Sequence, residues 1–360
     1  MITLKTGICE LFGIEYPIIQ AGMAGGPTTV ELVSSVSEAG GLGTLGAAYM
    51  APDALRTALS EIAQRTSRPF GVNLFAAEVE DDFSRLEEVQ QILNPFRTEL
   101  GIAEPPASLS SPDWSGEQFD ICLDFGVPII STAFGCLSAE QMARAKSRNI
   151  KIVAMVTTVE EAKTAERIGV DAIVAQGSEA GGHRGTFTLG KHPFGAQIGT
   201  MSLVPQIVDA VGIPVVAAGG IADGRGLVAS LFLGAQAVQI GTRFLSSKES
   251  AAHEMYKQAL FESTEESTVI TKSFTGRPAR GIKNRFVEEF EQKNIEPLPF
   301  PSQNTATKDI RAAAAKAANP EFMSLWAGQT TRMLTHEMAA ADIVRTIMQE
   351  AEQLLKKNLG

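Results

Sequence analysis

Eight short runs of apolar and small residues recur along this chain, each followed by a polar loop and then a helical pattern. They are "PIIQA" (17–21), "GLGTLG" (41–46), "FGVNLF" (70–75), "PIISTAF" (128–134), "KIVAMV" (151–156), "AIVAQG" (172–177), "PVVAAG" (214–219) and "AVQIGT" (237–242). Unbroken apolar character marks strands buried on both faces, as in parallel sheets. Helical stretches between the runs make the chain α/β. Eight units favour a closed TIM (β/α)8 barrel over an open doubly wound sheet, because closure removes both exposed edges.

Punctuation supports the helices. Thr28 with Glu31 reads as a capping box, with Gly40 as the stop. Ser138 with Gln141 and Thr158 with Glu161 repeat the device, and Gly169 ends the last of these helices. Two regions break the rhythm. Residues 76–127 hold acidic helical sequence and then "AEPPASLSSPD", which reads as a long loop. After the eighth run, "TVITKSFTGRPARGIKNRF" gives a strand-to-turn signal, followed by a helix and "EPLPFPSQN". The expected organisation is a barrel over 1–246 and 331–360, with a smaller α+β domain over 247–330 inserted after strand eight. A closing helix is expected over about 332–357, with the stripe Met338, Ala341, Ile343, Ile347, Met348, Ala351, Leu354 and Leu355.

Composition excludes several functions. Of 360 residues, 44% are hydrophobic and 20% charged, an ordinary globular profile. The net charge of −10 comes without a basic stripe, so no nucleic-acid partner is expected. The same acidity opposes anionic membranes, and no run approaches the roughly 20 apolar residues that span a bilayer. The opening "MITLKTGICELFG" has no signal-peptide core, so a cytoplasmic location is expected. Cys9, Cys122 and Cys136 are too few and too dispersed for a disulfide framework or zinc site, and no metal is expected.

In such barrels the chemistry sits at the carboxyl ends of the strands. Those ends are rich in small and polar residues here: "QAGMAGG", Asn73, "AQGSEAGGHRGTF", "AAGGIADG" and "QIGTRF". Phosphate sites commonly form from the loops after strands seven and eight. Gly219, Gly220, Gly241 and Thr242 suit that task, because glycine lets backbone N–H groups converge on an anion. No GxGxxG follows the first strand, so a Rossmann fingerprint is absent. Asn73, Gln176 and Gln239 add amides at three strand ends, suited to a heterocycle with mixed donor and acceptor edges. A flavin fits this set, with Gly22, Met23 and Ala24 beneath its ring.

Eight segments then carry a resemblance, in order, along nearly the whole chain. They are "GIEYPIIQAGMAGG", "AGGLGTLGAAYM", "PFGVNLF", "VAQGSEAGGHRGTF", "VVAAGGIADGRGL", "VQIGTRFL", "SFTGRPARGI" and "EFMSLWAGQ". Together they resemble the FMN-dependent nitronate monooxygenase family, also called the 2-nitropropane dioxygenase family. One departure is Gly22, where many members carry proline. The resemblance implies FMN held by Met23, Asn73, Gln176, Gly181 and Gly220, with Gly182 in the same loop. It places the phosphate near Gln239, Ile240, Gly241 and Thr242. It implies an alkyl nitronate and O2 as substrates, with a carbonyl compound and nitrite as products. The same superfamily contains NAD(P)H-dependent FMN reductases of the enoyl-acyl-carrier-protein and quinone types, which form the alternative. Oligomeric state is left open.

One of only four histidines, His183, stands on a loop flanked by Gly181, Gly182 and Gly185. Such neighbours offer little packing for a structural ring, and the loop follows a strand on the active face. His183 is therefore the candidate catalytic residue, either as a neutral base or as a cation attracting a nitronate. Arg184 is read as added positive potential or as a solvated surface charge. Cys136 reads as an inert thiol, and "SFTGRPARG" as a hairpin in preference to a segment closing over the flavin; Trp326, Gly328 and Gln329 resemble a segment of the family that returns to the site. His192, His253 and His336 read as structural.

Overall fold

The computed structural model describes residues 4–77, 80–102, 109–190 and 192–359. All eight runs form strands of one parallel sheet: β1 (Ile18–Gln20), β2 (Gly43–Gly46), β3 (Phe70–Phe75), β4 (Ile129–Ala133), β5 (Lys151–Val156), β6 (Ala172–Gln176), β8 (Val215–Ala218) and β9 (Ala237–Ile240). A two-residue strand, β7 (Gly182–His183), lies outside the barrel. The barrel order runs β1-β9-β8-β6-β5-β4-β3-β2. A parallel bridge between Ile19 and Leu42 joins the two ends, so the fold is a TIM barrel. The unbroken burial of β2, β6 and β8 fits the apolar runs that predicted them.

One apolar cluster lies between the strands and the outer helices. A second fills the barrel's interior. In it, Ile8, Cys9 and Phe12 of the helix Gly7–Phe12 pack with Val153, Val174 and Val216. Thr6 ties that helix to Gln236 O, just before β9, so the plug sits at the amino ends of the strands. The carboxyl ends are left for chemistry.

A third cluster gathers residues of the 247–330 region with the helix Leu86–Glu99. That helix lies in the stretch 76–127, which the sequence groups with the barrel. Arg97 anchors it, only 2% exposed, with Nε donating to Asp309 at 2.7 Å. In this region β10 (Thr268–Thr271) and β11 (Ala279–Ile282) form the expected antiparallel hairpin. β7 pairs with β11 as a third strand, His183 opposite Ala279 and Gly182 opposite Arg280. The loop after barrel strand β6 is thus stitched into a second sheet.

Some expectations need correction. Thr28 does not cap the helix Val30–Glu38; Thr29 does, accepting from Leu32 N at 2.9 Å. The Thr28 hydroxyl is occupied one loop earlier, bonding Met23 N at 2.8 Å and Met23 O at 3.0 Å. The closing helix runs Ala340–Leu359 rather than from 332. Thr331–Met333 is a 3-10 turn, and Met338 bridges Ser247 instead of joining the helical stripe. Of the long loop at 103–113, residues 103–108 lie outside the described residues, and 109–113 carry no regular structure.

Two capping boxes form as read, at Ser138/Gln141 and Thr158/Glu161, and Gly169 ends the latter helix in the left-handed region. Glu161 does more than cap. Its carboxylate also accepts from Thr157 Oγ1 at 2.9 Å and from Phe187 N at 2.7 Å, tying the helix to the long loop after β6. Loss of the cap alone through Thr158→Ala is expected to cost about 1 kcal/mol of stability, read as a lower denaturant midpoint with an unchanged slope.

Candidate active site

All fourteen residues proposed from sequence line one cavity of about 690 Å³ at the carboxyl ends of the strands. From the first three strands come Gly22, Met23, Ala24 and Asn73. From β6 and the loop after it come Gln176, Gly181, Gly182 and His183. The last two strands supply Gly219, Gly220, Gln239, Ile240, Gly241 and Thr242.

The glycines have physical reasons. A side chain at Gly181 would stand 2.5 Å from Gly328 N, and one at Gly185 would stand 2.9 Å from Met155 Sδ. Gly182 has φ +75°, outside the range most residues adopt. The bare loop therefore reflects close packing on both sides and a left-handed turn into β7. Gly219 and Gly220 also have positive φ, at 104° and 72°. Neither of their N–H groups, nor that of Gly241, donates to a protein acceptor in the turns described. A side chain at Gly241 would meet nothing closer than 3.7 Å. Free backbone donors beside open space suit an anion such as a phosphate.

Two side chains organise the His183 loop, and a third, Asn73, is held within the barrel. Gln176 spans it, donating from Nε2 to His183 O at 2.9 Å and accepting from Gly185 N at 2.8 Å. Asn73 donates to Ser131 Oγ at 2.9 Å. Arg184 contradicts both of its sequence readings: it is neither solvated nor turned to the cavity. It is fully buried and donates to Gly177 O at 2.7 Å, Gln176 O at 2.9 Å and Ala196 O at 3.2 Å. Its charge is spent on main-chain carbonyls, two at the end of β6 and one at Ala196, and burial lowers its pKa to about 10.

His183 opens onto the cavity on one side and is enclosed elsewhere. Its Nε2 lies 2.9 Å from Thr275 Oγ1. Aromatic rings surround it: Trp326 at 5.5 Å, Phe134 at 5.8 Å and Phe300 at 6.3 Å between centroids. Phe134 reaches this place through a left-handed backbone, φ 71°, and carries the Arg277 guanidinium 3.9 Å above its ring centroid. Burial, reinforced by Arg277 and Arg311, pushes the His183 pKa down to about 3. Of the two charge states open in sequence, these surroundings favour the neutral ring.

Sequence reasoning missed part of this wall. Tyr49, Phe75, Phe134, Thr275, Phe300, Lys308 and Arg311 all line the cavity. Phe75 and Phe134 stand at the ends of predicted strands, so their signal was present. Lys308 and Arg311 come from a helix with no barrel register to place it. The Tyr49 hydroxyl and Arg311 Nε are buried without protein partners among the described residues, and burial pushes the Tyr49 pKa to about 12. Trp326 and Gly328 do line the site; Gly328 N donates to Thr242 Oγ1 at 3.0 Å, and Gln329 N to Glu179 O at 3.0 Å. Cys136 does not line the cavity, and burial raises its thiol to about 11. His253 lines the cavity but caps a helix, accepting from Met255 N at 3.1 Å.

Comparison with known proteins bears on this geometry. The sequence model of the family described as nitronate monooxygenase matches residues 5–350. A probable nitronate monooxygenase of Staphylococcus saprophyticus subsp. saprophyticus is 43% identical over 357 residues, covering 98% of this chain and 99% of that protein. One from Staphylococcus aureus strain Newman is 44% identical over 353 residues, with 98% and 99% coverage. The structure titled a nitroalkane oxidase from Streptomyces ansochromogenes aligns with TM-score 0.91 at 37% identity, over 98% and 99% of the two chains. FabK from Thermotoga maritima aligns with TM-score 0.78 at 31% identity, over 99% and 98%.

Two outcomes follow from the buried groups. Arg184→Met removes the side-chain donor to Gln176 O, Gly177 O and Ala196 O and is expected to cost about 3 kcal/mol, read by denaturant unfolding. His183 has a folded pKa depressed from about 6.5 to about 3, so its contribution is present above pH 6.5 and is lost as pH falls toward 3. Between pH 7 and pH 5 the native protein should lose about 2 kcal/mol that His183→Gln does not lose. Equal losses in paired unfolding curves would refute the assignment.

Proposed function

This chain belongs to the nitronate monooxygenase family, a family of oxidoreductases, and on that premise we propose that it oxidises alkyl nitronates with O2 to carbonyl compounds and nitrite, using FMN. The observation that carries the reading is the meeting of His183 and the glycine cradle in one cavity. Free N–H groups at Gly219, Gly220 and Gly241 fit a phosphate, and Gln239 makes no side-chain hydrogen bond within the described residues. In this reading, Gly219, Gly220, Gln239, Ile240, Gly241 and Thr242 hold the phosphate end. Gly22, Met23, Ala24, Asn73, Gln176, Gly181 and Gly182 border the ring. When bound, the flavin supplies an electron acceptor for the nitronate.

The chain's own residues set up the rest. Arg277 and Arg311 give the His183 side of the cavity a positive potential, which draws in an anionic nitronate. The aromatic wall of Phe75, Phe134, Phe300 and Trp326 excludes water around the reacting carbon. His183, held neutral, accepts the α-proton when the neutral nitroalkane is offered. The imidazolium so formed stands beside the nitronate anion formed with it, so the two charges offset each other.

The test is nitrite release in air from a preformed nitronate and from its parent nitroalkane. His183→Gln should lower nitroalkane turnover about 100-fold and nitronate turnover by much less. No nitrite from either compound would sink the reading. The alternative, an NAD(P)H-dependent FMN reductase, predicts fast NADH consumption without any nitro compound. The higher TM-score, with the nitroalkane oxidase, weighs against it.

A further inference from the structure

The hydroxyl of Thr275 has one proton and three neighbours. It lies 2.9 Å from His183 Nε2, 3.1 Å from Arg277 O and 3.4 Å from Arg277 N. The long contact to Arg277 N uses only an Oγ1 lone pair. The decision is therefore whether the hydroxyl proton goes to Arg277 O or to His183 Nε2.

The surroundings decide it. Arg277 is buried, and its carbonyl accepts no other hydrogen bond among the described residues. Giving the proton to His183 would leave that carbonyl unpaired in the interior, at a cost a folded protein rarely carries. It would also put the imidazole proton on Nδ1, which has no acceptor among the described residues. Giving the proton to Arg277 O satisfies the carbonyl and makes Oγ1 an acceptor. His183 must then carry its proton on Nε2 and donate it to Thr275.

We propose that Thr275 is a positioning residue that fixes His183 as the Nε2–H tautomer, with the Nδ1 lone pair presented to the cavity. This rests on the reading of His183 as the residue acting in the cavity. The Nδ1 atom makes no hydrogen bond among the described residues and is not sealed from the open space, so its partner comes from the ligand. In proton abstraction, the C–H bond of the nitroalkane breaks, its electron pair stays on the nitronate and its proton moves to Nδ1. Nε2–H stays on Thr275 throughout, so the ring keeps its orientation as its charge changes.

Two features make Thr275 a firm anchor. It is 2% exposed, and it belongs to the turn between β10 and β11, whose second strand pairs with the backbone of His183. Side chain and main chain of the histidine are therefore fixed by the same hairpin.

The test uses the full chain, its FMN-loaded form for kinetics, and three variants. Nitrogen-15 NMR of histidine-labelled protein, with His183 assigned by His183→Gln, reads the tautomer directly. A protonated Nε2 and an unprotonated Nδ1 are expected in the native protein and in Thr275→Ser. Thr275→Val should mix the tautomers. It should also lower the ratio of nitroalkane to nitronate turnover at least tenfold, with Thr275→Ser restoring the ratio. A native Nδ1–H signal, or a tautomer and ratio both unchanged in Thr275→Val, overturns the proposal. Should Thr275→Val fail to fold, the native and Thr275→Ser spectra still decide it. If no nitro compound is turned over, the oxidase reading fails while the spectra judge Thr275 separately.

Discussion

The pairing of β7 with β11 is the contact on which the site depends. Two residues of a barrel loop, Gly182 and His183, leave the barrel and join a hairpin some hundred residues further along the chain. Arg184 N extends the ladder, donating to Pro278 O at 2.8 Å. A loop of small residues has high entropy when free, and ordering it costs about 1–2 kcal/mol per residue. Hydrogen bonds to a strand that is itself paired on its other edge offset that cost. The candidate catalytic group is thereby mounted on a sheet edge rather than on a mobile loop.

Charge is arranged around this mount with some care for desolvation. Arg184 and Arg277 are cations sealed in the interior, and neither forms an ion pair with a carboxylate. Arg184 is satisfied by carbonyls instead, while Arg277 reaches Thr186 O and the face of Phe134 and keeps a buried Nε without a protein partner among the described residues. The field of Arg277, joined by Arg311, bears on the site in one direction: it disfavours a resting imidazolium and favours an incoming anion. The low resting basicity of His183 and the anion-attracting side of the cavity at Arg311 are therefore two results of one electrostatic layout.

Much of this was legible in sequence because it is local. The eight apolar runs, the boxes at Ser138 and Thr158, and the glycine pairs at strand ends depend on residues a few positions apart. Thr28 misled because capping pattern and loop need compete for one hydroxyl, and only the folded loop shows that Met23 takes it. Arg184 misled for a similar reason: arginine beside a histidine suggests a shared site, yet alternation along a strand sends neighbours to opposite sides. Thr275, Tyr49 and Arg311 could not be placed, because their partners are remote in sequence. The loop's glycines were noticed at once, but their cause lay with Gly328 and Met155, which nothing nearby in the chain announces.

The double use of Gln176, with both ends of its amide bound to the main chain of the histidine loop, divides the cavity into two kinds of wall. The wall bearing the imidazole is a hydrogen-bonded lattice in which Gln176, Thr275 and Arg184 each hold main chain or ring in place, so sequence drift there breaks something. The stretch of wall formed by Tyr49, Phe75 and Phe300 is held mainly by ring contacts, which tolerate exchange of one bulky group for another. Descendants of such a protein would thus diversify their tastes on one side while inheriting the other unchanged.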